Sequence, residues 1–119
     1  TMTKDALLSL ATRLNQFARE RDWEKFHSPK NISMALNVEA GELMEHFQWL
    51  NESDSYLLDT PKKLDVSLEL ADIFLYLIRI ADILDIDLID SAEQKLVINE
   101  KKYPVALSKG NAKKYTEFS

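Results

Sequence analysis

The sequence has no cysteine and only two glycines and three prolines in 119 residues. Without cysteine, the chain forms neither disulfides nor thiolate metal sites, so a metal site would need oxygen or nitrogen ligands. The scarcity of glycine and proline leaves few helix breaks, which favours helices. There is no run of about 18 apolar residues and no signal-peptide pattern at the N-terminus, so we expect a cytoplasmic protein without a membrane partner.

The net charge of −5 is unevenly distributed along the chain. Residues 39–93 include 14 acidic and 3 basic side chains, whereas the remainder has 6 acidic and 12 basic ones. This pattern is common on solvated helix faces, but it also fits an acidic metal site with basic ends that meet a polyphosphate. No concentrated basic patch with interleaved aromatic residues is present, so we do not expect duplex nucleic acid as a partner.

Apolar residues recur with helical spacing along nearly the whole chain. This predicts an all-α fold resembling a four-helix bundle. We predict a single domain over 1–119, with 1–3 as an N-terminal extension and 105–119 as an irregular basic tail. Asn31 and Thr60 are the predicted N-caps of the second and third helices. The predicted helices are 4–22, 31–50, 60–84 and a fourth that follows a break at 85–87 and ends near 103. The third is apolar almost all round over 68–83, so we expect it to be the central and most buried helix.

Two pairs of acidic residues lie within these apolar helices, Glu39 with Glu42 and Glu69 with Asp72. Residues spaced i,i+3 stack on one helix face, so the four carboxylates could converge. Carboxylates in such a place would repel one another, and some would stay protonated at pH 7 unless a cation met them. Mg²⁺ prefers such oxygen ligands, and a metal-bound water can attack phosphorus. We therefore predict a Mg²⁺ site. The alternative is that these acids face solvent or pair with basic side chains.

A di-iron carboxylate site is the competing metal assignment. Such a site needs Glu-x-x-His on two helices. The sequence has one such match, Glu24 with His27, and it falls in a predicted loop. His46 follows Glu42 by four residues instead of three. The pattern therefore disfavours iron.

Aromatic and cationic residues flank the acidic segment. Trp23, His27, Trp49 and Tyr76 are as typical of packing as of binding, but together they would place flat side chains where a base could stack. Asn99, Lys102 and Tyr103 close the fourth helix, and Lys113 and Lys114 follow in the tail. These could bind phosphate, or simply complement a helix dipole and remain solvated.

The assembled motifs resemble those of the MazG-like, all-α nucleoside triphosphate pyrophosphatases, and most of all the dCTP pyrophosphatase branch. The family signature is Glu-x-x-Glu followed by Glu-x-x-Asp. In this sequence Glu39-x-x-Glu42 is followed by Glu69-x-x-Asp72, and 26 residues lie between the two motifs. The similarity extends over nearly the whole chain and includes residues 21–27, 39–49, 69–76, 99–104 and 114–117.

The resemblance implies an enzyme that hydrolyses a deoxynucleoside triphosphate, dCTP or a modified dCTP, to the monophosphate and pyrophosphate as housekeeping of the nucleotide pool. It implies Mg²⁺ and a homodimer or homotetramer whose site is lined by more than one chain. His46 and Arg79 have no role in the pattern. The implied metal ligands and catalytic residues are Glu39, Glu42, Glu69 and Asp72; the base and sugar contacts are Trp23, His27, Trp49, Tyr76 and Asn99; the phosphate contacts are Lys30, Lys102, Tyr103 and Lys114.

Two alternatives to this function remain. One is the same fold with another substrate, such as dUTP, dATP or phosphoribosyl-ATP, because stacking side chains accept any base. The other is a helical interaction module whose acidic residues hold a structural ion.

Overall fold

A computed structural model describes residues 4–117, and no β-strand occurs among them. The helices are α1 (Lys4–Glu20), α2 (Pro29–Glu45), α3 (Glu52–Ser55), α4 (Thr60–Ile83), α5 (Leu88–Lys102) and α6 (Val105–Ser108), with 3₁₀ turns at Glu24–Phe26 and Tyr115–Glu117. The all-α prediction is confirmed, and the four predicted helices correspond to α1, α2, α4 and α5. No helix in the described part of the chain is long and apolar enough to cross a membrane. The predicted extension at 1–3 lies outside the described residues.

Each of the long helices after α1 begins at a side chain that caps it. Ser28 accepts a hydrogen bond from the backbone N–H of Asn31, with Pro29 in the first turn. Asp59 accepts one from Lys62 N–H, and Asp87 accepts one from Asp90 N–H. The predicted caps Asn31 and Thr60 were therefore wrong. Ser28 and Asp59 each precede a proline in the first turn of the helix. Proline is favoured there, because its missing N–H would have had no partner within the helix.

Two helices end at an aspartate with a left-handed backbone. Asp22 follows α1 with φ of 55°, and Asp85 follows α4 with φ of 54°. After α1, the N–H of Trp23 donates to the carbonyl of Ala18 at 2.8 Å, and Asp22 N–H donates to Arg19 at 3.1 Å. These two bonds form a Schellman motif, which usually has glycine at the left-handed position. The motif fixes where Trp23 leaves the helix.

Clustering of the contacts divides the chain into two compact units, Thr1–Ile86 and Asp87–Ser119. In the first unit, α4 packs against both α1 and α2. The buried apolar side chains come from all three helices and are Ala11, Ala18, Ile32, Val66, Ile78 and Ala81. The prediction that α4 is the central and most buried helix is confirmed, since it packs against both α1 and α2 and has the most buried residues of the described helices. Its burial is incomplete, however, because Leu68 is 58% and Leu70 is 52% exposed. A single chain has too few helices to cover an element that is apolar on every side.

The second unit consists of α5, α6 and the segment that follows. Tyr103 ends α5 by donating its backbone N–H to the carbonyl of Asn99 at 2.8 Å. The predicted irregular tail contains α6 and a 3₁₀ turn, so within 105–117 the prediction was correct only for the residues between them. Its last two residues, 118–119, lie outside the described part of the chain. Whether the two units act as one domain stays a prediction.

Candidate active site

The packing of α2 against α4 brings the predicted carboxylates together. Oxygen atoms of Glu39, Glu69 and Asp72 all lie within 4.8 Å of one another. Glu42 lies one helical turn from Glu39 and is close enough to hydrogen-bond to it. We call these four side chains the carboxylate cluster. Two helices with i,i+3 acidic pairs therefore form one site, as the spacing predicted, while the role of each residue stays a prediction.

The carboxylate cluster is electrostatically unsatisfied. Burial is the main cause that raises the pKa of Glu39 to about 7, and hydrogen bonding to Glu69 and Glu42 and the charges of Glu42 and Asp72 add to it. Glu39 Oε2 and Glu69 Oε2 are buried and have no hydrogen-bond partner among the described residues. Buried oxygens without a donor are costly, and a cation supplies what they lack. The donor set therefore fits a hard divalent ion such as Mg²⁺.

A cavity of about 870 Å³ adjoins the carboxylate cluster in the first unit. This volume lies within the range of small-molecule sites. Five predicted site residues line the cavity, namely Trp23, His27, Glu39, Asp72 and Tyr76. The remaining lining residues are Leu10, Thr12, Arg13, Leu14, Gln16, Phe17, Glu20, Arg21, Leu75 and Arg79.

Aromatic side chains from the end of α1 and the following turn line one part of the cavity. The ring of Trp23 packs edge-on against Phe17 with centroids 5.6 Å apart, and it lies 6.3 Å from the imidazole of His27. The guanidinium of Arg21 lies over the ring of Phe17, with its central carbon 3.6 Å from the ring centroid. These contacts hold Trp23 and His27 at the cavity, where flat faces suit a nucleobase.

Tyr76 follows Asp72 by one turn of α4 and connects the carboxylates to the aromatic residues. Burial raises the pKa of the Tyr76 hydroxyl, and the charges of Glu39 and Asp72 raise it further. The hydroxyl therefore stays protonated at neutral pH and can donate a hydrogen bond.

A hydrogen-bond network at Arg79 was missed by the sequence analysis. The guanidinium donates through Nε to Nδ1 of His27 at 3.2 Å and through Nη1 to Oδ1 of Asn15. Asn15 in turn donates through Nδ2 to Asp82 at 2.8 Å. Arg79 shares a stripe of α4 with Asp72 and Tyr76, and that spacing was the available signal. Nothing in the sequence marked Asn15. We call Trp23, His27 and Arg79 the aromatic end of the cavity.

Some predicted site residues do not line this cavity. Trp49 is 88% exposed in the turn after α2, and Lys30 is exposed in the first turn of α2. His46, which was predicted to have no role, is half-buried and also outside the lining. The predicted residues Asn99, Lys102, Tyr103 and Lys114 belong to the second unit. Their roles stay predictions.

A sequence model of the MazG-like family matches residues 34–118. The chain belongs to the MazG-like family. The match includes the carboxylate cluster and Arg79 but begins after Asn15, Trp23 and His27. The family model therefore covers the acidic helices and not the aromatic turn.

Named relatives of this MazG-like chain are similar over most of its length. It is 42% identical over 104 residues to dCTP pyrophosphatase 1 of Mus musculus and 38% identical to that of Homo sapiens. Each alignment covers 86% of this chain but only 61% of the relative. A solved pyrophosphatase from Archaeoglobus fulgidus DSM 4304 superposes with a TM-score of 0.76 at 34% identity, covering 81% of this chain and 90% of that one.

Proposed function

We propose that this chain is a Mg²⁺-dependent nucleoside triphosphate pyrophosphatase acting on deoxynucleoside triphosphates, with dCTP or a modified dCTP as substrate. The observation that carries the proposal is the carboxylate cluster at one side of an aromatic-lined cavity. Acidic oxygens suit a Mg²⁺–polyphosphate, and aromatic faces suit a base. The names of the mouse and human relatives and of the Archaeoglobus protein support the same activity.

The carboxylate cluster would hold the metal. Glu39, Glu69 and Asp72, whose oxygens lie within 4.8 Å of one another, would be ligands, with Glu42 beside Glu39 as the fourth. Glu39 Oε2 and Glu69 Oε2, which have no hydrogen-bond partner among the described residues, most need a cation. When bound, Mg²⁺ offsets the phosphate charge and lowers the pKa of a coordinated water. Because Glu39 has a pKa of about 7, its carboxyl is partly protonated near neutral pH. We expect this proton to be released when the metal binds.

The reaction consumes one water and breaks the bond between the α phosphorus and the bridging oxygen to the β phosphorus. The products are a deoxynucleoside monophosphate and pyrophosphate. The protein's own side chains position the substrate for this step. Tyr76, with its protonated hydroxyl beside Glu39 and Asp72, can donate to the substrate between the phosphates and the base. Trp23 and His27 present their flat faces to the base.

The predicted site residues that do not line the cavity are part of the same proposal. They would contact the substrate in the assembled oligomer. We include Trp49 as a base contact and Lys30 as a phosphate contact, and the second unit supplies Asn99, Lys102, Tyr103 and Lys114. A homodimer or homotetramer is supported by exposed apolar side chains at helical spacing on α2 and α4. These are Met34 at 52%, Val38 at 58%, Leu64 at 59% and Leu68 at 58% exposed.

The test is product analysis. The protein is incubated with dCTP and Mg²⁺, and the phosphorus products are followed by ³¹P NMR, with an EDTA control. We expect dCMP and pyrophosphate in equal amounts and no reaction in EDTA. Formation of dCDP and orthophosphate would show cleavage at the wrong bond. A panel of dUTP, dATP and phosphoribosyl-ATP distinguishes the alternative substrates, because a higher kcat/KM for one of them would replace dCTP in the proposal.

A further inference from the structure

Arg79 is the only buried charged side chain among residues 4–117, with 6% of its surface exposed. It lines the cavity, yet no carboxylate in the described part of the chain lies within ion-pair distance of its guanidinium. Burying a cation without a counter-charge is unfavourable, and proteins keep such a group when it has a specific partner. The partners of Arg79 among the described residues are His27 and Asn15, which are polar and neutral, so its charge has no counter-charge in that part of the chain.

The hydrogen bonds of Arg79 leave part of its donor set available. A guanidinium has five N–H groups. One on Nε is taken by His27 and one on Nη1 by Asn15. Three remain, two of them on Nη2. Asn15 is itself held by a hydrogen bond to Asp82. The guanidinium of Arg79 is therefore fixed by His27 and by Asn15. A planar, positioned guanidinium with neighbouring free donors suits a ligand with two neighbouring acceptors.

The neighbours of Arg79 present donors to the same place. Nδ1 of His27 accepts from Arg79, so the imidazole is neutral and carries its proton on Nε2. Burial and the charge of Arg79 both lower the pKa of His27, which agrees with this state. This wall of the cavity therefore offers N–H groups and no acceptor from these two residues.

The position of Arg79 places this wall at the base instead of the phosphates. Arg79 follows Asp72 by seven residues of one helix, which corresponds to about 10 Å along its axis. Under the proposed function the phosphates lie near Asp72, one of the residues that would hold the cation. His27 contacts Arg79, and its ring neighbours Trp23, which packs against Phe17. A nucleoside anchored by its α-phosphate near Asp72 spans about that distance and brings its base edge to the guanidinium.

We propose that Arg79, held by Asn15 and His27, determines base specificity by donating to the neighbouring acceptors O2 and N3 of cytosine. The proposal rests on the proposed function, because it assumes a nucleotide in the cavity. Uracil has the same size, but its N3 carries a proton and is a donor. The N3–H would face an N–H of Arg79, and neither group would have an acceptor. A site built for hydrogen bonding rejects an analogue that leaves its donors unpaired. Arg79 therefore selects dCTP over dUTP.

The test compares kcat/KM for dCTP and dUTP, with Mg²⁺, in the wild type and in Arg79→Ala and Arg79→Lys. We expect the dCTP:dUTP ratio to fall roughly tenfold to a hundredfold in Arg79→Ala, the usual discrimination of a bidentate base contact. Arg79→Lys keeps the charge but loses the planar fork, so it should recover only a small part of the ratio. Arg19→Gln is the matched control, because it removes an exposed guanidinium that pairs with Glu24 and does not line the cavity. It should leave the ratio unchanged.

Other roles for Arg79 give different results. If it bound phosphate, kcat/KM would fall equally for both nucleotides and the ratio would stay, which would overturn the proposal. If it only supported the fold, the melting temperature would fall and the ratio would again stay. Asn15→Ala leaves Arg79 in place but removes one of its supports, so a smaller drop of the ratio is expected there even if the Arg79 variants fold poorly. An unchanged ratio in Asn15→Ala would also contradict the proposal.

A binding measurement separates this proposal from the proposed function. Calorimetric titration of dCMP and dUMP needs no catalysis, and we expect the wild type to bind dCMP more tightly and Arg79→Ala to bind both alike. If the wild type hydrolyses no deoxynucleoside triphosphate but shows this preference, the function fails and the role of Arg79 stands. If it hydrolyses dCTP and dUTP equally well, the function stands and the role of Arg79 fails.

Discussion

At the carboxylate cluster, Glu39 and Glu69 each have a buried oxygen without a hydrogen-bond partner among the described residues, whereas at the aromatic end Arg79 donates to both His27 and Asn15. The like charges of the first region repel one another, whereas contacts within the fold hold the second together. Under the proposed function this difference is a division of tasks, in which a metal would complete the acidic region and the positioned aromatic end would orient a base.

The largest effect should follow from changes in the carboxylate cluster. We expect Glu39→Gln and Asp72→Asn each to lower kcat/KM about a hundredfold or more, because a metal ligand is lost while the shape of the side chain is kept. Hydrolysis assays with circular dichroism on the same samples measure activity and fold together. Glu45→Gln, an exposed position at the end of α2, is the matched control and should keep full activity.

These variants also test whether the ion is only structural. A structural site would lose stability together with its metal, so both variants would melt earlier than the wild type in Mg²⁺ but not in EDTA, where no sample carries the ion. We expect both variants instead to lose activity while keeping their fold in Mg²⁺, and Glu39→Gln to melt no earlier than the wild type in EDTA, since the substitution removes repulsion. Full activity in either Glu39→Gln or Asp72→Asn would contradict the assigned ligands.

A smaller effect is expected at the aromatic end. Trp23→Ala should raise KM for dCTP roughly tenfold to a hundredfold with less change in kcat, because stacking on a base is lost while the metal site is kept. Steady-state kinetics measures both constants. Phe26→Ala is the control, because Phe26 lies in the 3₁₀ turn that follows Trp23 but is 58% exposed and outside the cavity. Equal KM values for the two variants would show that Trp23 does not contact the base.

The carboxylate cluster should also make the metal-free protein sensitive to pH. The pKa of Glu39 is raised from 4.5 to about 7, so the folded state holds more protons than the unfolded state between these values. The contribution of Glu39 to stability in EDTA is therefore fully present below about pH 4.5 and is lost as the pH rises through about 7. Melting temperatures of the wild type and Glu39→Gln across this range measure the effect. We expect the melting temperature of Glu39→Gln to rise relative to that of the wild type as the pH rises. Parallel curves would show that Glu39 does not titrate in this way.

The smallest effect concerns the two left-handed aspartates. Asp85→Gly should stabilise the protein by about 0.5 to 1 kcal/mol, because glycine adopts a positive φ without the strain of a side chain. Asp22→Gly should gain less, since it also loses the 2.9 Å ion pair with Lys25. Urea denaturation measures both changes. A loss of stability in Asp85→Gly would show that its side chain makes a favourable interaction with the end of α4.

Much of the acidic site could be predicted from the sequence because its signal is local. The i,i+3 spacing of Glu39 with Glu42 and of Glu69 with Asp72 places each pair on one helix face, and only one packing contact is then needed to join them. The helices themselves follow from apolar periodicity. The helix starts were wrong, because Ser28 lies three residues before the predicted cap Asn31 and Asp59 one residue before Thr60, and all four are good cap residues.

The network of Arg79 could not be predicted in this way. Arg79 is separated from Asn15 by 64 residues and from His27 by 52, so their contact depends on how α1 packs against α4. Apolar periodicity gives the face of each helix but not the register between two helices. Trp49 illustrates the same limit, because it is 88% exposed in this chain and its proposed base contact would come from assembly.

The central claim is that the carboxylate cluster binds a divalent cation, and Mn²⁺ titration followed by electron paramagnetic resonance tests it most directly. Mn²⁺ takes the same oxygen ligands as Mg²⁺, and its free-ion signal disappears on binding. We predict that the wild type removes this signal without nucleotide, that Mg²⁺ restores it by competition, and that Asp72→Asn binds at least tenfold more weakly. A wild-type protein that leaves the free Mn²⁺ signal unchanged both with and without dCMP would contradict the account.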